Sequence, residues 1–179
     1  MKMVQHYINN NGNKLSVIIF KVGWEEFAID IEDVKEIIQS GQIRRLPNSL
    51  DFIEGIYNYR GEIIHIVNLW KKLKMNNSTI YKSRIIKSNG ENNGKKNKFM
   101  IILNFSNSYV GILVDQIINI VQIEDGQLME LGPIFQTSVS MKYIKGIIRF
   151  KGTPKIVLDL GKILEDIEQF TIQNEVISN

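Results

Sequence analysis

The chain has 179 residues, enough for one compact domain or for two small lobes sharing a core. It has no cysteine, which excludes disulfides, thiol catalysis and cysteine-ligated zinc. The net charge of +3 conceals an asymmetry: residues 71–98 hold nine Lys or Arg and one acid, and the chain on either side is net acidic.

The polar stretch from Met1 to Asn13 lacks the apolar run of a signal peptide, and no apolar stretch approaches the ~20 residues that cross a bilayer. A soluble, cytoplasmic protein without membrane insertion is expected. Ile occurs 32 times against a single Ala, Ala28, and Asn occurs 18 times. Ile favours strands and Asn favours turns, so an all-β protein with polar loops and little helix is expected.

In chain order, residues 1–14 read as a tail and Leu15 to Val22 as a strand. Gly23 and Trp24 make a turn, and Glu26 to Asp30 returns as a strand with Phe27 and Ile29 on one face. Ile31 to Val34 reads as a helical turn, and Lys35 to Leu46 as a strand that Pro47 ends. Ile63 to Val67 is nearly continuous in apolar residues, as expected of a strand buried on both sides, with a helical turn over Trp70 to Leu73. Residues 87–98 hold nothing able to anchor them in a core and read as a surface loop. Strands resume at Phe99 to Leu103 and Tyr109 to Val114, and Ile163 to Phe170 reads as a C-terminal helix, with its end and a tail over 166–179 whose last residues fray.

An internal repeat organises these elements. Phe52-Ile-Glu-Gly-Ile56 recurs as Tyr143-Ile-Lys-Gly-Ile147, Arg60-Gly61 as Lys151-Gly152, and Ile66-Val-Asn-Leu69 as Val157-Leu-Asp-Leu160, all at an offset of 91. Upstream, Phe27 to Ile31 matches Val110 to Val114 at an offset of 83, and Val34 to Ile38 matches Ile117 to Val121. Two similar lobes of about five strands each are expected within residues 15–165, intertwined or sequential, with an approximate boundary at 76–98. Small strand sets of this size avoid exposed edges by curling into barrels.

Candidates for chemistry are few. His6 and His65 have no ligand-like spacing, and His65 in an apolar strand reads first as a hydrogen-bonded core histidine. The acids Glu25, Glu26, Asp30, Glu32, Asp33 and Glu36 lack the alternation and central Gly of a calcium loop. No phosphate-cradling glycine loop and no serine elbow occurs. A non-enzyme without metal or cofactor is expected. The basic stretch admits a nucleic-acid-binding barrel as the alternative function, although no aromatic interleaves the basic residues from Lys82 to Lys98.

The stretch from Ile43 to Leu69 resembles the central signature of CheW-like chemotaxis coupling domains. Its elements are Leu46-Pro47-Asn48, Ile53-Glu54-Gly55 and Asn58-Tyr59-Arg60-Gly61 followed by an apolar strand. Phe27 to Ile31 with Val34 to Ile37 is similar to the family's entry hairpin, and Val110 to Asp115 with Ile144 to Ile147 to its second lobe. The match runs from about Leu15 to Leu164. The chain departs from the pattern at His65 and Asn68, where Pro and Asp are usual, at Tyr57 and Tyr59, and in a longer basic segment.

The resemblance implies two SH3-like five-stranded barrels packed side by side in a non-catalytic adaptor at receptor arrays beside the inner membrane. Its implied partners are the regulatory domain of a CheA-type histidine kinase, the cytoplasmic tip of a chemoreceptor (a methyl-accepting chemotaxis protein) and other CheW-like domains. No nucleic acid is among them. It also implies Ile31, Val34 and Glu36 at the kinase interface; core packing for Val34 and solvation for Glu36 are the plainer reading. Asn58, Arg60, Val110, Ile112 and Ile117 are implied in receptor coupling, against a loop-pinning role for Arg60 and a core role for the alternating apolar residues. Gly55, Gly61, Gly146 and Gly152 are expected at turns where a Cβ would clash.

Overall fold

A computed structural model describes residues 14–47, 49–75, 99–132, 137, 139–165, 167 and 168. Ten strands alternate with short helical turns. They are β1 (Lys14–Val22), β2 (Glu25–Asp30), β3 (Val34–Gln39), β4 (Ile53–Tyr59), β5 (Glu62–Asn68), β6 (Phe99–Phe105), β7 (Ser108–Val114), β8 (Gln116–Glu124), β9 (Ile144–Phe150) and β10 (Thr153–Leu158). Helix α1 (Leu69–Lys72) follows β5, and residues 160–165 are helical after β10.

The strands form two five-stranded sheets, the SH3-like barrels of a two-lobed fold. Barrel A has the order β8-β1-β2-β10-β9 and barrel B the order β3-β6-β7-β5-β4. The repeat explains both orders. With β1–β5 taken as one half and β6–β10 as the other, each strand's twin occupies the same position in the opposite barrel. Each half lends its first two strands to one barrel and its last three to the other, so the lobes are intertwined by exchange. The parallel pairs show it in register: His65 faces Val110 between β5 and β7, as Ile156 faces Phe27 between β10 and β2. The chain crosses between barrels at the 3-10 turn Ile31–Asp33 and between β7 and β8. Residues 76–98, where the sequence places a boundary and a basic loop, lie outside the described residues, between two strands of barrel B.

Three apolar clusters follow from strand alternation. Val17, Ile19, Ala28, Ile148 and Val157 fill barrel A, while Ile64, Ile66, Met100, Ile102 and Leu113 fill barrel B. The opposite faces of the same strands meet in a seam between the barrels, where Ile18, Phe20 and Ile29 join Ile101, Ile112 and Val114. A sheet face that would be wet in a single barrel is thus buried by its twin.

Local rules set the strand ends. Asn68 Oδ1 accepts from Lys71 N at 3.1 Å at the start of α1, and its twin Asp159 accepts from Lys162 N at 3.0 Å at the start of helix 160–165. Asn and Asp are both good N-caps, so the departure at Asn68 preserves the function of the position. Two expectations need correction. The strand expected to run to Leu46 ends at Gln39, after which Arg44 makes one isolated bridge to Ile56. The strand β5 is not buried on both sides: it leaves the seam at its N-terminal end, where Ile63 is 58% exposed and His65 is exposed rather than a core histidine.

Candidate functional site

The most elaborated side-chain cluster on barrel B spans β3, β4 and the β4–β5 turn. Arg60 and Gly61 both have positive φ, 54° and 92°. That pair of angles belongs to a tight two-residue hairpin, which suits Gly and strains Arg. Asn58 Oδ1 braces the turn by accepting from Gly61 N at 2.8 Å. The turn aims the guanidinium across the barrel mouth, where Arg60 NH2 donates to Glu36 Oε2 at 2.9 Å. The same oxygen accepts from the Tyr59 hydroxyl at 2.8 Å.

Glu36 is held at this depth by the bulge in β3 between Val34 and Glu36. Burial and the hydrogen bond to Glu36 push the Tyr59 phenol up to about 12. Tyr59 meets Tyr109 edge-on at 5.4 Å, and Lys35 Nζ lies 6.0 Å from the Tyr109 ring. The result is a clasp: a carboxylate mostly withdrawn from water beneath a guanidinium that is 56% exposed. An anchored, partly exposed guanidinium suits recognition of a protein surface.

The other expected contact residues are placed differently. Ile31 is 2% exposed and Val34 6%, both in the seam cluster, so neither presents a side chain to a partner. Val110 and Ile112, expected to line a groove, are 5% and 0% exposed in the same seam, because the two sheets press together there. Ile117 is half-buried against it. Glu36 is neither simply solvated nor bare but paired, and Arg60 and Asn58 remain accessible.

The glycines divide into two kinds. Gly61 and Gly152, with φ 92° and 77°, sit in turns where a Cβ would meet nothing, so their constraint is the dihedral angle. Gly55 and Gly146 lie within β4 and β9 rather than in turns, where a Cβ would strike the carbonyl oxygens of Arg44 and Met129. Those carbonyls belong to the isolated bridges Arg44–Ile56 and Met129–Ile147.

Sequence reading missed the supporting aromatic Tyr109, and it missed Ile63 as an exposed apolar residue on β5. The Tyr at position 59, unusual for the pattern it resembles, was the available signal. Among the described residues no group of three or more His, Cys, Asp or Glu is placed to hold a metal ion. No helix among them is long and apolar enough to cross a membrane. The basic residues 82–98 lie outside the described residues.

Residues 16–168 match the family described as the CheW-like domain. The chain belongs to that family. It is 30% identical over 164 residues to the chemotaxis protein CheW of Treponema pallidum, covering 92% of this chain and 90% of the relative. It is likewise 30% identical over 157 residues to the chemotaxis protein CheW of Thermotoga maritima, covering 86% and 90%. Its fold is that of the scaffolding protein TtCheW from Thermoanaerobacter tengcongensis, with a TM-score of 0.64 at 23% identity over 81% of this chain and 88% of that one. This CheW-like chain is a chemotaxis coupling protein, an adaptor, and no comparison offers support for the nucleic-acid-binding alternative.

Proposed function

We propose that the chain joins the regulatory domain of a CheA-type histidine kinase to the cytoplasmic tips of chemoreceptors, in arrays beside the inner membrane, by contact alone and without catalysis or cofactor. The observation that carries the kinase assignment is the Glu36–Tyr59–Arg60 clasp. It is a pre-organised polar mouth, with Ile63 exposed on β5 and Ile37 half-buried on β3 of the same barrel. An apolar core with a charged rim is the usual anatomy of a protein interface.

Because Ile31 and Val34 are buried, their part in the kinase face is to hold β3 in place, and direct contact falls to Glu36, Arg60 and their neighbours. Asn58 and Arg60 serve receptor coupling through the same hairpin. Val110, Ile112 and Ile117 act there by supporting the seam that sets one barrel against the other. Other CheW-like domains, which share the fold, are the further class of partner. Each contact needs an ordinary area, on the order of 800 Å² per partner. Affinities near micromolar, about −8 kcal/mol, suffice where several contacts act together in a lattice.

Calorimetry with a kinase regulatory domain tests the reading. Glu36→Lys places a second cation beside Arg60 and is expected to weaken binding by about 2 kcal/mol. The double change Glu36→Arg with Arg60→Glu rebuilds the pair and is expected to recover part of the loss. Absence of binding by the unaltered chain at high concentration would refute the kinase assignment.

A further inference from the structure

Helix α1 carries a charged side chain where its repeat twin carries an apolar one. Lys72 is 6% exposed, whereas Ile163, 91 residues further on, is fully buried. The Lys72 ammonium lies 4.4 Å from the centroid of the Phe52 ring and 5.5 Å from that of Tyr143. These two aromatics are themselves twins at the same offset of 91. Phe52 leads into β4 of barrel B and Tyr143 into β9 of barrel A. Tyr143 belongs to the seam cluster and Phe52 packs against it, while Lys142 approaches the Tyr143 ring at 4.7 Å. One cation is therefore gripped by the same position of both halves, where the barrels meet.

Taking an ammonium out of water is costly. The twin site shows that this fold also accepts an apolar side chain at the position. What a cation between two rings adds is direction, since its attraction depends on its lying over each ring face. We infer that Lys72 is a positioning residue that fixes the angle between barrels A and B, and with it the relative placement of the two docking faces of the adaptor. The functional consequence rests on the proposed coupling role; the geometric claim does not.

The chain supplies its own reporter. Of its two tryptophans, Trp70 of α1 packs against this seam and meets Trp24, in the β1–β2 turn of barrel A, edge-on, with centroids 4.8 Å apart and planes at 85°. Near-ultraviolet circular dichroism of that pair reads the placement of one barrel against the other without any partner.

The experiment compares the full chain with Lys72→Ile, which copies the twin, and with Lys72→Arg. Lys72→Ile is expected to remain folded yet lose the tryptophan couplet. In a reconstituted receptor–kinase array its kinase output is expected to fall at least about fivefold, with both binary affinities within about twofold of the unaltered chain. Lys72→Arg is expected to keep the couplet and the output, because a guanidinium also stacks on aromatic faces. Phe52→Leu, which removes one ring from barrel B alone, is expected to shift the couplet in the same direction and serves if Lys72→Ile does not fold. An unchanged couplet in folded Lys72→Ile, or an output that falls only in step with a binary affinity, would overturn the inference. Failure of the unaltered chain to bind either partner would remove the coupling role and leave the couplet to decide the role of Lys72.

Discussion

Barrel A and barrel B share strand order, parallel pairing, a bridged glycine, a two-residue turn and a capped helix, yet their mouths differ. In barrel B the mouth is the clasp of Glu36, Tyr59 and Arg60. The twin positions in barrel A hold Asn119, Phe150 and Lys151. Asn119 Oδ1 accepts from Ile120 N at 2.9 Å, and Lys151 lies over the Phe150 ring at 5.4 Å, with no ion pair to an acid among the described residues. The backbone has kept even the strained turn, with Lys151 at φ 48° against Arg60 at 54°. What the repeat preserves is the frame, and what it releases is the surface chemistry. The elaborated mouth therefore sets barrel B apart chemically from barrel A, on the same frame.

The strongest test of that shared frame is at its paired glycines. Gly55→Ala would meet the Arg44 carbonyl and also strain a φ of 151°, at a cost of about 3 kcal/mol or more. Gly146→Ala meets the Met129 carbonyl and the Leu128 side chain without a φ in that region, for about 2 kcal/mol. Thermal unfolding of both variants checks the order; a smaller loss at Gly55 would break the account.

The difference between the mouths predicts a smaller, one-sided effect. Glu36→Gln is expected to cost about 1–2 kcal/mol in denaturant unfolding, against less than about 0.5 for Asn119→Ala. The alkaline limb carries the sign. The Tyr59 phenol is raised from 10.0 to about 12, so the stability it contributes is complete below pH 10 and is lost as pH rises through 12. A spectrophotometric titration should find the Tyr59 phenol ionising at about 12 in the unaltered chain and returning toward 10.0 in Glu36→Gln.

The smallest expected effect is at the caps. Asp159→Ala removes one helix cap and is expected to cost about 1 kcal/mol, and Asn68→Ala, which removes the matching cap and also the bond its Nδ2 donates to Glu54 Oε2, is expected to cost somewhat more. Chemical denaturation in which Asp159→Ala costs more would break that account.

Much of this was open to reading before folding. The offset of 91 placed Gly55 with Gly146, Arg60 with Lys151 and Asn68 with Asp159, and each pair has one structural role. Strands β1, β2, β6 and β7 followed from alternation and turn residues. The clasp was half legible: Glu36 and Arg60 were candidates, but nothing in a linear pattern says that positions 24 residues apart share one hydrogen-bonded oxygen. Ile31, Val34, Val110 and Ile112, expected at docking faces with a core role kept open for Val34 and the alternating residues, are buried in the seam; alternation marks which face of a strand is apolar and is silent on what covers that face.

The sequence by itself determined that there are two copies of one strand set, where their turns and caps lie, and that the chain is built to a CheW-like pattern. Those features are local: a positive φ, a capping side chain and an alternating face depend on residues a few positions apart. Only the tertiary structure decided that the halves exchange strands, that the outer faces of both barrels close into a shared seam, and that Lys72 is held between Phe52 and Tyr143. Each of these depends on which sheet a strand joins, a choice made by the burial of apolar faces across the whole chain.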